Sequence, residues 1–105
     1  MKEIDTSALA AHVLVCTNRR APEDPLPCCA AADGERVFAQ LRELVAAAGL
    51  SGRVWVNRAG CLGWCHSAGC TVAIYPVGVM LQRVALSDCA TIFARHIAPL
   101  AAERR

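Results

Sequence analysis

A chain of 105 residues, 55% of them hydrophobic and 19% charged, has the size of one small globular domain and leaves no room for a second. This apolar share with mixed-sign charge excludes intrinsic disorder, and a formal net charge of +2 without a basic run is too weak for nucleic-acid binding. The apolar runs are too short to span a bilayer, so no membrane partner is expected.

The start, MKEIDTSALAAHVLVC, carries Glu3 and Asp5 and has no long apolar core, so it does not read as a secretory signal and a cytoplasmic location is expected. Cytosolic thiols stay reduced. The 7 cysteines, an odd number, therefore point to metal binding or catalysis more than to disulfides.

Residues 1–11 form a polar N-terminal segment, and the folded domain is expected over 12–100. His12 to Val15 (HVLV) is a short apolar run that predicts a buried strand ending at Cys16. From Thr17 to Ala32 the chain carries Pro22, Pro25 and Pro27, which exclude a regular helix or central strand and predict a loop. Val37, Phe38, Leu41, Leu44, Val45 and Ala48 then recur on one helical face, with Asp33 as N-cap and Gly49 as the stop.

Arg53 to Asn57 alternates as a second strand and leads into the loop Ala59 to Cys70 (AGCLGWCHSAGC), where Gly60 and Gly63 would allow a tight turn. Thr71 to Tyr75 and Val79 to Val84 predict two further strands joined by a hairpin turn at Pro76, Val77 and Gly78. Ser87 is a good N-cap for a last helix carrying Ala90, Ile92, Phe93, His96 and Ile97, which Pro99 should limit; residues 101–105 form a charged tail. The order is βαβ followed by ββα, an α/β class.

A βαβ unit makes its two strands parallel, so both finish at the same edge of the sheet. Cys16, just past the first strand, and Cys61, a few residues past the second, are thereby delivered to one end. Cys29, with Cys28 beside it, lies in the loop returning to a helix N-terminus, where partial positive charge favours thiolate. Cys65 follows Cys61 by four positions. Four such sulfurs suit zinc or an iron–sulfur cluster. No two cysteines are separated by two residues, as zinc knuckles usually require, so spacing favours the cluster.

HVLVCTNRR, a cysteine after twelve intervening residues, GCLGWC, VAIYPVGVMLQRV and a closing helix with RHIA together resemble the thioredoxin-like [2Fe-2S] ferredoxin family of Shethna type, over roughly residues 12–98. The resemblance implies a thioredoxin-like fold around a mixed four-stranded sheet, a homodimer, and one [2Fe-2S] cluster. It also implies single-electron transfer between redox protein partners without substrate turnover, so not an enzyme. The family spacing selects Cys16, Cys29, Cys61 and Cys65 as ligands and leaves Cys28 as a neighbour. Two features depart from the pattern: Met80 and Leu81 stand where many relatives have an aromatic pair, and the usual polar extension after the last helix is lacking. SAGCTVAI is also similar to a group of thioredoxin-like metal-binding proteins associated with cobalamin pathways, and a metal-handling protein using the same cysteines is the alternative.

No acidic residue occurs between Glu43 and Asp88, while Arg53, Arg58 and Arg83 fall in that interval. A cationic neighbourhood there would favour the reduced cluster and an acidic partner. His66 reads as a loop residue near the cluster, Trp64 as a shield or a packed side chain, and Cys70 and Cys89 as small buried hydrophobes. A thiol–disulfide oxidoreductase is disfavoured because adjacent Cys28 and Cys29 are ill suited to disulfide geometry. The three scattered histidines offer no hydrolase triad, and phosphate-loop and dinucleotide fingerprints are absent.

Overall fold

Alternation builds the first strand. In a computed structural model, which describes residues 1–18, 33–60, 62 and 69–103, β1 (Ala11–Cys16) buries Ala11, Val13 and Val15 on one face. The β-branched side chains suit that pleated, half-covered surface. Helix α1 (Gly34–Ala47) follows and buries Val37, Phe38, Leu41 and Val45 in one stripe. Burial of Leu41, which is complete, contributes about 2 kcal/mol.

The end of α1 is a two-bond cap. Gly49, at φ 71, donates its N–H to the Ala46 carbonyl at 3.0 Å, and Leu50 donates to Val45 at 3.0 Å. Glycine adopts this left-handed turn without a Cβ penalty. The helix start differs from expectation: Asp33 occupies the N-cap position at φ 65, but its side chain makes no capping bond, because the left-handed backbone takes the place of the extended one that side-chain capping needs.

Strands β2 (Val54–Ala59), β3 (Cys70–Tyr75) and β4 (Val79–Val84) complete a mixed four-stranded sheet in the order β2-β1-β3-β4. β1 runs parallel to β2 and antiparallel to β3, and β4 is antiparallel to β3. The order βαβ then ββα is therefore as expected. Gly78, at φ 77, closes the hairpin between β3 and β4, and its N–H donates to Ile74 at 3.0 Å.

Helix α1 and the C-terminal helices pack together and cover one face of the sheet. The opposite face changes character along its length. At one end Trp55 and Tyr75 are 43% and 45% exposed; at the other, Cys16 and Thr71 are buried. No helix among the described residues is long and apolar enough to cross a membrane.

The closing helix departs from expectation twice. It begins as a 3-10 turn (Leu86–Asp88), and the Asp88 carboxylate, in place of the Ser87 hydroxyl, accepts the Ala85 N–H at 2.8 Å. Ser87 lies inside the turn and so cannot cap it. Nor does Pro99 end the helix: α2 (Cys89–Ile92) passes into a π turn (Phe93–Ile97) and then α3 (Ala98–Glu103). In α geometry the proline ring would strike the carbonyl four residues earlier, that of Arg95. The wider turn just before it relieves the clash.

Two predicted core thiols are where expected. Cys70 and Cys89 are buried and free, and the Cys89 sulfur lies 3.9 Å from the Val37 carbonyl oxygen. Burial pushes the Cys70 thiol up to about 12, with Cys89 and Cys16 nearby adding to the shift. Burial raises Cys89 as well. Gly69 was not singled out by the sequence, yet a Cβ there would meet the Arg83 carbonyl carbon and lie 2.7 Å from both Arg83 Cα and Val84 N.

Three outcomes follow. Gly69→Ala should lower unfolding free energy by about 1–3 kcal/mol in urea titration, because backbone cannot move aside cheaply. Gly52→Ala, whose added Cβ meets nothing within 4 Å among the described residues, should change it by less than about 0.5 kcal/mol. For Cys70 the folded chain holds a proton that the unfolded chain releases above its ordinary value of 9.0. Stability is thus complete below that pH and should fall as pH rises towards 12, which urea midpoints measured across the range would show.

Candidate metal centre

The parallel pairing brings two strand ends together. Cys16, the last residue of β1, is in register with Ala59, the last residue of β2, and the Thr17 N–H donates to the Ala59 carbonyl at 3.1 Å. Cys16 therefore closes the strand and does not lie just past it. β3 starts and β4 ends at this same edge, since Cys70 is in register with Val84. The sheet thus gathers the flanks of both cysteine-bearing loops at one end.

Cys16 breaks the alternation of its strand. It shares the parity of His12 and Leu14, which are partly exposed, yet it is itself completely buried. It is also a free thiol. A soft sulfur donor outside any disulfide, held at the carboxyl edge of an α/β sheet, fits the ligand role expected of it. The other expected ligands, Cys29, Cys61 and Cys65, lie outside the described residues, as do Cys28, Trp64 and His66. Among the described residues, no group of three or more His, Cys, Asp or Glu is arranged to hold a metal ion.

The flanks of Cys61 are better placed. Gly60 follows β2 directly, and Leu62 packs against the hydrophobic core. The tight turn expected at Gly60 and Gly63 lies outside the described residues; at Gly60 itself the φ is not left-handed and an added Cβ meets nothing within 4 Å among the described residues. Three segments that lead to the expected ligands therefore start from fixed points: β1 at Cys16, β2 at Ala59, and α1 at Gly34.

A contact that sequence reading missed ties two of these points together. The Arg58 Nε donates to both oxygens of Glu35, at 2.9 and 3.2 Å, and its guanidinium lies 4.2 Å from the centre of the Phe38 ring. Arg58 is the penultimate residue of β2 and Glu35 belongs to the first turn of α1. The pair is 57% and 51% exposed, so it contributes no more than about 1 kcal/mol. Its electrostatic effect is clearer: the expected cationic neighbourhood is reduced, because the charge on Arg58 is compensated. The only sequence signal was a carboxylate at the N-terminus of a crossover helix and an arginine at the end of the strand it leads to.

No family model matches the chain. A 2Fe-2S ferredoxin of Clostridium pasteurianum is 33% identical over 86 residues, covering 82% of this chain and 83% of that protein. The crystal structure of the wild-type thioredoxin-like [2Fe-2S] ferredoxin from Aquifex aeolicus superposes with a TM-score of 0.78 at 30% identity, over 86% of this chain and 87% of that one. A second structure of a thioredoxin-like [2Fe-2S] ferredoxin from that organism gives 0.79 at 29% identity, over 88% and 84%. Likeness in sequence and in strand order thus agree over nearly the same span, and the chain belongs to the thioredoxin-like [2Fe-2S] ferredoxin family.

Proposed function

We propose that this chain holds one [2Fe-2S] cluster through Cys16, Cys29, Cys61 and Cys65 and carries single electrons between protein partners, with no substrate turnover. The observation that carries this reading is the free, buried Cys16 at the edge where β1 and β2 finish in register. Cys61 comes two residues after Ala59 in the sequence, and Cys29 five before the start of α1. Family membership supplies the cofactor class. When bound, the cluster supplies the one-electron redox couple.

The chain's own contribution is to hold and shield. Cys16 is anchored by the pairing of β1 on both sides, so its sulfur is offered from a fixed backbone with little ordering entropy left to lose. Burial at this edge lowers the local dielectric and excludes water. A reducing compartment such as the cytoplasm would keep the cysteines assigned to the cluster available as thiolates.

Protein purified without oxygen should contain two irons and two acid-labile sulfides per chain and bleach reversibly on taking up one electron. Zinc without sulfide would overturn the reading and favour a metal-handling protein. The ligand set has its own test. Cys29→Ser should abolish the visible absorption of the cluster, and Cys28→Ser should preserve it. The reverse pattern would exchange these two cysteines in the assignment.

A further inference from the structure

β4 is an edge strand, and between it and the closing helix lies a cleft of about 200 Å³. Leu81 and Ile92 give it an apolar lining, and Arg83, Arg95, His96 and Asp88 supply the polar groups. Both walls leave regular geometry where the cations stand. Between the pairs Val72–Leu81 and Cys70–Val84, β4 uses one residue more than β3, a bulge in which Arg83 adopts φ 59. Across the cleft, the π turn before Pro99 contains Arg95 and His96.

The charges in the cleft are unequally engaged. Asp88 already accepts the Ala85 N–H, whereas neither Arg83 nor Arg95 has an ion-pair partner among the described residues. The location matters as much as the sign. Val84, next to Arg83, is in register with Cys70 at the edge where β1 ends in Cys16, two strands away, or about 10 Å across the sheet.

We propose that this cleft is the docking surface for an acidic redox partner, whose carboxylates enter between Arg83 and Arg95 and bring its redox centre to the cysteine-bearing end of the sheet. The assignment rests on the electron-carrier reading above and names the partner's chemistry. A protein partner is favoured over nucleic acid because, among the described residues, no Phe, Tyr or Trp lines the cleft to stack a base. The partly apolar lining also suits a protein interface, where a buried centre is surrounded by a charged rim.

A fluorescent oligoglutamate peptide, titrated against the loaded protein and followed by anisotropy, tests this. It should bind at about 20 mM salt and weaken at about 150 mM. Arg83→Glu and Arg95→Glu should each weaken binding about fivefold or more. Arg36→Glu, an equal charge change at an exposed position on α1, should shift it by less than about twofold. Arg95 lies on an exposed helical position, so its variant keeps the test open if Arg83→Glu fails to fold. Absence of binding by the wild type, equal weakening by Arg36→Glu, or tighter binding of a thymidine oligonucleotide of equal charge would overturn the docking surface. Iron and sulfide are measured in each sample. A wild type without a cluster would overturn the carrier reading itself, whereas a full cluster without arginine-dependent binding would overturn the docking surface alone.

Discussion

The parallel register of β1 and β2 is the constraint on which the rest of the molecule depends. Because each residue of β1 from Ala11 to Cys16 is matched to one of β2 from Val54 to Ala59, both strands stop at one edge. A one-residue slip would turn Val13 and Val15 out of the core and Cys16 to the opposite face. The valines on the helical side resist that slip through buried apolar area. The energy that holds Cys16 in place therefore comes largely from apolar residues on the opposite face of its strand.

Local irregularity occurs at both ends of the sheet, and three instances bear on this edge or on the cleft beside β4. Asp33 takes a left-handed turn as the chain enters α1, Arg83 sits in a bulge as β4 ends, and the closing helix widens before Pro99. Such conformations cost energy, and surrounding structure must impose them. Here the causes are identifiable. Gly69 lets β3 approach the backbone of Arg83, and the proline ring forces the wider helical turn. Both devices bear on the same cleft from opposite sides.

Charge is arranged by pairing more than by count. Of the arginines in the acid-free interval, Arg58 is compensated by Glu35 and stacked on Phe38, while Arg83 joins Arg95 of the closing helix. The basic character expected from the interval thus moves from the end of β2 to the opposite edge of the sheet. Composition along the chain could not show this, since each pairing partner lies outside the interval.

Periodicity in the sequence determined the element order, the parallel βαβ start, the stripe of α1 from Val37 to Val45, the glycine stop at Gly49 and the core placement of Cys70 and Cys89. These depend on local pattern and on chain connectivity, which a linear sequence records directly. Strand connectivity likewise placed Cys16 at the carboxyl edge of the sheet, where the structure has it as a buried free thiol. Only tertiary structure decided the Glu35–Arg58 contact, the clearance that demands Gly69, the continuation of the helix through Pro99, and the cleft shared by Arg83 and Arg95. The Glu35–Arg58 contact, the clearance at Gly69 and the cleft arise when separate elements come within a few ångströms, and their energies depend on separation and direction, which residue order alone does not contain. The passage through Pro99 rests on a local widening of the helix that the proline by itself does not announce.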